Sequence, residues 1–137
     1  MYQLRGKLSI VMPAYNEEAL IYNSIMQTLS IVEQFAPDME IIAVNDGSKD
    51  KTKQEIERAI RDDAKQPHPV VPGMRVSGTR IKLVTSNKNR GKGNAIISGI
   101  SQAEGDYIAF VDADLELNPA QLEGYLKKMQ ESGSDVV

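Results

Sequence analysis

The stretch Leu8–Met12 reads LSIVM, a nearly continuous apolar run that ends at Pro13 and is followed by polar residues. Three further runs of this kind occur along the chain: Glu40–Val44 (EIIAV), Ile81–Thr85 (IKLVT) and Tyr107–Val111 (YIAFV). Short apolar runs rich in β-branched residues are typical of strands that are buried on both faces of a parallel sheet. The sequence therefore predicts a strand at each run.

Helical patterns lie between and after these runs. Apolar residues recur at helical spacing over about residues 17–35, 51–63, 92–103 and 119–131. Alternating strands and helices favour an α/β fold, in which helices flank a mostly parallel sheet. Residues 64–80 contain three prolines and two glycines without periodicity, which predicts a long loop. A fifth strand begins at Asp135–Val137 as the chain stops, so we expect the chain to be part of a longer domain.

Length and composition narrow the class of protein. A chain of 137 residues, 41% hydrophobic and 26% charged, predicts a single domain over residues 1–137. A formal net charge of −3 argues against a nucleic-acid partner. The absence of cysteine excludes thiolate metal sites, and the lone His68, expected to be exposed rather than catalytic, excludes multi-histidine sites. No apolar run approaches the roughly 20 residues of a membrane span, so a cytoplasmic location is expected.

The segments that follow the predicted strands are the candidates for function, because ligands of open parallel sheets bind beyond the carboxyl ends of the strands. All four segments are polar, and they cover residues 13–18, 45–48, 86–94 and 112–116. The strongest signal is Asp112-Ala113-Asp114. Residues two apart in an extended chain point to the same side, with Glu116 next if the chain stays extended. Clustered carboxylates suit Mg²⁺ or Mn²⁺, although a polar strand end that caps the next helix is an equal alternative.

The other three segments carry weaker signals. Asp46 at a strand end suits the ring N–H and ribose hydroxyls of a nucleotide. Taken alone, however, this segment favours ordinary turn chemistry, with Ser48 or Asp50 as a helix cap. Acids at residues 16–18 are expected to complement a helix dipole. Residues 90–94 (RGKGN) combine glycines, two cations and a helix start, which suits a diphosphate or a solvated turn. All four segments are expected at the same edge of the sheet, and this convergence indicates a ligand site.

In this order and spacing, the motifs resemble those of the inverting family 2 glycosyltransferases. The matching segments are residues 13–18 (PAYNEE), 44–52 (VNDGSKDKT), 89–95 (NRGKGNA) and 105–114 (GDYIAFVDAD). Asp112–Leu115 followed by Asn118-Pro119 is most similar to dolichyl-phosphate sugar synthases and bactoprenol glucosyltransferases. The resemblance implies a Rossmann-like GT-A fold. It also implies metal-assisted transfer of a sugar from a UDP-, GDP- or dTDP-sugar to a polyprenyl phosphate or a growing glycan, at the inner face of a membrane.

The resemblance also implies roles for individual residues. The expected nucleotide-sugar contacts are Pro13, Tyr15, Glu17, Asp46, Lys92 and Asp112, and the expected metal ligands are Asp112, Asp114 and Glu116. Two features depart from the family pattern: Asn45 replaces the usual aspartate, and the loop over residues 64–80 is long. A general base is expected beyond the metal motif, where few residues follow, so none is assigned. We therefore expect weak donor binding and little or no transfer by this chain alone.

Other classes of protein account for the sequence less well. A haloacid-dehalogenase-like phosphatase also places Asp-x-Asp after a strand, but its later catalytic loops have no room here. A sugar-nucleotide pyrophosphorylase would have a basic, glycine-rich loop where residues 13–18 are acidic. A dinucleotide oxidoreductase would have Gly-x-Gly-x-x-Gly at that position. The serious alternative is a non-catalytic nucleotide-binding or regulatory domain.

Overall fold

The computed structural model describes residues 2–71, 74–76 and 78–135 and has an α/β architecture. Its elements in chain order are β1 (Leu8–Ala14), α1 (Ile21–Val32), β2 (Met39–Asp46), α2 (Thr52–Ala64), β3 (His68–Val71), β4 (Met74–Val76), β5 (Ile81–Ser86), α3 (Lys92–Gln102), β6 (Tyr107–Phe110) and α4 (Gln121–Ser132). Each of the four predicted strands is confirmed to within two residues at either end.

The main sheet contains four parallel strands in the order β5-β2-β1-β6. The chain adds β2 and β5 on one side of β1 and then returns to add β6 on the other side. The strand order thus reverses between β1 and β6, and such a switch point opens a crevice beyond the carboxyl ends of the strands. The segments after β1 and β6 therefore flank the crevice in which a ligand is expected.

Helices cover both faces of the sheet, which explains why its central strands are apolar at successive positions. On one face, Ile10 and Met12 of β1 belong to a core that includes Ile25 of α1 and Ile56 of α2. On the other face, Ala95 of α3 packs with three valine and isoleucine side chains of the sheet, Val11, Ile42 and Val44. All eight residues of β2 are buried as a result. The predicted α/β fold, a mostly parallel sheet with flanking helices, is confirmed.

Two sequence predictions about local structure are wrong. Helix α1 begins at Ile21 rather than Glu17. Asn16 has a left-handed φ of 52°, and the carbonyl oxygen of Glu17 accepts from the N–H groups of Leu20 and Ile21 in a turn that leads into the helix. The segment over residues 64–80 contains the antiparallel hairpin β3–β4 rather than only a loop. Its strands have four and three residues. Strands this short, flanked by prolines and glycines, do not show the alternation of apolar and polar residues by which a strand is predicted. The strand predicted at Asp135–Val137 lies largely outside the described residues.

His68 at the start of β3 is buried, not exposed as predicted, with 6% of its surface accessible. Its Nε2 lies 2.8 Å from the carbonyl oxygen of Gly78. Pairing of the short strands β3 and β4 brings His68 opposite Val76, which the sequence did not reveal. None of the helices within the described ranges has the length and apolar character that spanning a lipid bilayer requires.

Gly99 allows α3 to approach the sheet, and its replacement tests this packing. A Cβ on Gly99 would overlap Cγ1 of the fully buried Val11 and lie 3.2 Å from Cγ2 of Val44. We expect Gly99→Ala to lower the free energy of unfolding by about 1 kcal/mol or more, because overpacking outweighs the gain in helix propensity. The matched control is Gly124→Ala in α4, where a Cβ meets no atom within 4 Å. The control should be stabilised by up to about 1 kcal/mol in urea unfolding. If the two variants were equally stable, close packing of Gly99 against Val11 and Val44 would be contradicted.

Candidate functional site

A cavity of about 500 Å³ opens at the carboxyl edge of the main sheet. The segments that follow β1, β5 and β6 line it, together with Asp46, the last residue of β2. Its lining includes every site residue named from the sequence: Pro13, Tyr15, Glu17, Asp46, Lys92, Asp112, Asp114 and Glu116. Asn89, Gly91 and Ala95 also line the cavity and were not singled out as site residues. Glycine and alanine contribute backbone and a methyl group, which give no chemical signal in a sequence.

Hydrogen bonds link the loop after β1 to the loop after β2. The backbone N–H of Asn16 donates to Ser48 Oγ at 3.0 Å, and Asn16 Oδ1 accepts from the N–H of Lys49 at 2.9 Å. The N–H of Glu17 donates to the buried Thr52 Oγ1 at 2.8 Å. The role expected for Glu17 and Glu18 at a helix dipole is wrong, since both precede α1 and its first turn contains no acid. These residues instead form a turn whose shape depends on the neighbouring loop.

Asp50 and Ser48, both considered as helix caps, have different partners. Asp50 Oδ1 accepts from the N–H of Thr52 at 2.9 Å at the start of α2. Burial opposes ionisation of Asp50, but hydrogen bonds from Thr52 and Glu18 lower its pKa below the usual value. Ser48 bonds to the loop after β1 rather than to α2. Only Asp50 therefore has a partner in α2.

Asn45 and Asp46, the last two residues of β2, are buried and bond to neighbouring backbone and side chains. Asn45 Nδ2 donates to Thr85 Oγ1 at 2.9 Å, and Asn45 Oδ1 accepts from the N–H of Ser48 at 3.2 Å. Asn45 thus supplies a donor and an acceptor within the fold and does not line the cavity. Asn45, which replaces the usual aspartate of the family, therefore holds the loop after β2 in place through its bond to Ser48.

The carboxylate of Asp46 binds the β5–α3 loop, which comprises residues 87–91. Its Oδ1 accepts from the N–H of Arg90 at 2.9 Å, and its Oδ2 accepts from the N–H of Gly91 at 3.1 Å. Asp46 lines the cavity, yet only 5% of its surface is accessible. Both carboxylate oxygens therefore already have backbone partners from another loop.

The segment after β6 does not stay extended, which corrects the geometry expected for its acids. The N–H of Leu115 donates to the carbonyl oxygen of Asp112 at 3.0 Å, and Leu115 has a left-handed φ of 52°. Asp114 Oδ1 accepts from the N–H of Glu116 at 3.0 Å. Alternation from Asp112 through Glu116 is thereby lost, although all three acids line the cavity.

Charges of both signs meet in the cavity. Lys92 Nζ lies 2.5 Å from Asp112 Oδ1, and both side chains are about half exposed, at 60% and 49%. Burial raises the pKa of Glu17 above its usual value, and the nearby carboxylates of Asp114 and Asp50 raise it further. The cavity is therefore acidic on the side of Glu17 and Asp114, and an added cation would relieve that repulsion.

The predicted metal ligands do not form a closed site by themselves. Within residues 2–71, 74–76 and 78–135, no group of three or more histidine, aspartate or glutamate side chains is arranged to hold a metal ion. The carboxylates of Asp112 and Asp114 are exposed and offer only oxygen atoms. Such a donor set fits a hard divalent ion that takes its remaining ligands from phosphates and water.

A second cavity of about 330 Å³ lies at the opposite edge of the sheet. Its cations are already paired, since Lys82 Nζ lies 3.0 Å from Glu40 and Arg80 binds Asp63 at 2.7 Å. Burial opposes the charge of Glu40, but the N–H of Glu104, the Ser9 hydroxyl and the neighbouring lysines lower its pKa below the usual value. These groups neutralise one another, so we assign no ligand to this cavity.

Comparison with known proteins identifies the family. Residues 9–137 match the family model described as Glycosyl transferase family 2. The chain belongs to glycosyl transferase family 2. Among its relatives, the undecaprenyl-phosphate 4-deoxy-4-formamido-L-arabinose transferases of Enterobacter sp. (strain 638) and Photorhabdus laumondii are 35% and 36% identical over 131 residues. Each match covers 96% of this chain and 36% of the relative, so the chain spans about a third of the length of these curated relatives.

Solved structures show the same fold in this family 2 domain. The mannosyltransferase PcManGT from Pyrobaculum calidifontis, in complex with GDP-Man and Mn²⁺, superposes with a TM-score of 0.73 at 22% identity, covering 92% of this chain and 33% of that chain. TarS 1-349 of S. aureus, in complex with UDP-GlcNAc, superposes with a TM-score of 0.66 at 26% identity. This match covers 94% of this chain and 32% of the TarS chain. The predicted Rossmann-like GT-A fold is confirmed.

Thr52 tests whether the link between the loops after β1 and β2 stabilises the domain. Replacing it with valine keeps its shape but leaves the N–H of Glu17 without its acceptor and Asp50 without its hydroxyl donor. We expect Thr52→Val to lower the free energy of unfolding by about 1–3 kcal/mol. The matched control is Thr28→Val, because the buried Thr28 Oγ1 has no hydrogen-bond partner among the described residues. Urea unfolding should show the control as neutral or stabilised, and an equal loss in both variants would contradict the link.

Proposed function

We propose that this family 2 domain forms the donor-binding part of a glycosyltransferase. One observation carries the proposal: a cavity at the switch point of the sheet is lined by polar residues from the carboxyl ends of all four main strands, with Asp46 alone from β2. The donor would be a UDP-, GDP- or dTDP-sugar. Two solved structures with the same fold contain ligands of this class, GDP-Man in one and UDP-GlcNAc in the other, and they support the proposal.

The cavity offers a different chemical environment for each part of such a donor. Pro13, Tyr15 and Glu17 would contact the nucleoside, and Tyr15 offers an aromatic side chain that is 41% exposed. The ammonium group of Lys92 and the N-terminus of α3 would bind the diphosphate, because helix N-termini favour anions. Asp112 and Asp114 line the same cavity as Lys92, so acidic and basic groups would bracket the diphosphate.

Asp112 and Asp114 would hold a Mg²⁺ or Mn²⁺ ion. Glu116, which the resemblance implies as a third ligand, lines the same cavity but does not form a three-carboxylate group with them within the described residues. Their exposed carboxylate oxygens suit such hard ions. The complex of the Pyrobaculum mannosyltransferase contains Mn²⁺. When bound, the ion would neutralise charge that builds on the diphosphate as it leaves.

The reaction would be an inverting displacement. An acceptor oxygen forms a bond to the anomeric carbon as the bond from that carbon to the diphosphate oxygen breaks, and the electron pair leaves with the nucleoside diphosphate. Lys92 would stabilise the leaving charge. A phosphate acceptor attacks with an oxygen that is already anionic, so it needs no proton acceptor. We assign no general base to this chain.

The acceptor we favour is a polyprenyl phosphate, because two of the relatives are named undecaprenyl-phosphate transferases. A growing glycan is the second choice. The parent protein would then act at the cytoplasmic face of a membrane. Because the chain spans about a third of these relatives, we expect it to bind the donor weakly and to transfer little or no sugar alone. A non-catalytic nucleotide-binding domain is the second candidate function.

Calorimetry with nucleotides tests the proposal directly. We expect UDP or GDP to release heat on binding. We also expect Mn²⁺ to strengthen that binding by about tenfold or more, because a cation would offset the repulsion between the acidic side chains and the diphosphate. Asp114→Asn should lose most of the Mn²⁺ effect. The matched control is Glu131→Gln, an exposed residue of α4 outside the cavity, which should behave as the wild type.

Two outcomes would decide against parts of this account. No binding of either nucleotide, with or without Mn²⁺, would rule out a donor site. Binding that Asp114→Asn leaves unchanged would rule out the metal ligands. The non-catalytic alternative is tested separately by transfer to a polyprenyl phosphate in the longer parent protein, since nucleotide binding without transfer there would favour it.

A further inference from the structure

We propose that Lys92 and a divalent cation compete for the carboxylate of Asp112, so that Lys92 becomes free to bind a diphosphate when the ion takes its place. The inference rests on the proposed function, because it assigns a diphosphate and a metal ion to the same cavity. It adds that the ion pair between Lys92 and Asp112 is the state of the site before the donor enters.

The roles proposed for these two side chains exclude each other while they remain paired. Lys92 Nζ lies 2.5 Å from Asp112 Oδ1, and no other carboxylate within the described residues forms an ion pair with Lys92. An ammonium group held on a carboxylate has little charge left to offer a diphosphate, and a metal ion at the same oxygen would lie close to a like charge. The pair must therefore open when a metal ion and a diphosphate bind.

The charges that line the cavity give this exchange its effect. Within the described ranges, the lining contains a single cation, Lys92. It also contains five carboxylates: Glu17, Asp46, Asp112, Asp114 and Glu116. A nucleoside diphosphate is itself an anion, so the cavity repels it as long as Asp112 neutralises Lys92. A divalent ion on Asp112 would offset the acids and also return the ammonium group of Lys92 to the cavity.

The exposure of the pair allows the exchange. The side chains of Lys92 and Asp112 are 60% and 49% exposed. An ion pair between exposed groups is weak, with an effect of about fivefold or less on an equilibrium constant. The same carboxylate attracts a divalent ion more strongly than an ammonium group, and the exposed Asp114 lines the cavity beside it. Once released, Lys92 remains in the first turn of α3, where free N–H groups also favour an anion.

Binding of Mn²⁺ without any nucleotide, followed by electron paramagnetic resonance, tests the competition. The variants are Lys92→Met, Asp112→Asn and the double variant. Lys92→Arg keeps the positive charge and is the conservative variant. The matched control for the lost charge is Lys128→Met, since Lys128 is an exposed residue of α4 outside the cavity.

Competition predicts that removal of the ammonium group helps the ion only where Asp112 is present. Lys92→Met should tighten Mn²⁺ binding about threefold to fivefold, the size of an exposed ion pair. In the Asp112→Asn background the same change should alter binding less than about twofold. Lys128→Met and Lys92→Arg should bind Mn²⁺ like the wild type. Equal gains in both backgrounds would indicate repulsion at a distance and would overturn the inference, as would a lack of Mn²⁺ binding in every variant.

The NMR signal of the Lys92 ammonium nitrogen reports the release directly. In the isotope-labelled protein, titration with Mg²⁺ should move this signal towards its position in Asp112→Asn, where Lys92 has lost its partner. The signal of Lys128 should stay in place. If Mg²⁺ saturates the site and the Lys92 signal does not move, the inference is overturned.

Addition of UDP or GDP separates failure of this inference from failure of the proposed function. If a nucleotide binds together with Mg²⁺ while Lys92 stays on Asp112, the inference fails and the proposed function stands. If Mg²⁺ releases Lys92 but neither nucleotide binds, the proposed function fails, and the role of Lys92 at a diphosphate falls with it. Release of Lys92 together with nucleotide binding supports both.

Discussion

The site depends on one set of interactions, the hydrogen bonds by which buried side chains fix the backbone of the loops beyond the carboxyl ends of the strands. The buried acceptors lie at the end of β2 and the start of α2, and the donors lie in the loops after β1 and β5. Thr52 accepts from Glu17, and Asp46 accepts from Arg90 and Gly91. The ion pair of Lys92 and Asp112 then joins the loops after the two outer strands. The cavity is thus formed by loops that fix one another, and its shape follows from the sheet beneath them.

The architecture could be predicted from the sequence because its physical cause repeats along the chain. Each main strand is a short apolar run, such as LSIVM at Leu8–Met12, since helices cover both faces of the sheet. Parallel strands place their carboxyl ends at one edge. Knowing where the runs end was therefore enough to predict that Pro13, Asp46, Lys92 and Asp112 would lie around a single cavity.

The contacts within the site could not be predicted, because each depends on residues far apart in sequence. Glu17 resembles a helix-start acid until Thr52 is known to hold its N–H in a separate turn. The extended geometry expected after Asp112 ends at Leu115, which has a left-handed φ. The sequence pattern gives no sign of this conformation. His68 is buried through pairing of two strands that are too short to predict. Partners far apart in sequence decide the cases of Glu17 and His68, whereas the turn at Leu115 is local and is closed by its N–H and the carbonyl oxygen of Asp112.

The central claim is that the four loops at the carboxyl edge form one nucleotide-diphosphate site. The most direct measurement is mapping of backbone amide shifts in the labelled 137-residue chain during titration with UDP or GDP in the presence of Mg²⁺. The account predicts saturable shifts in all four segments, residues 13–18, 45–48, 87–92 and 112–116, with a common dissociation constant. Shifts confined to one of these segments, or centred on the cavity at the opposite edge of the sheet, would contradict it.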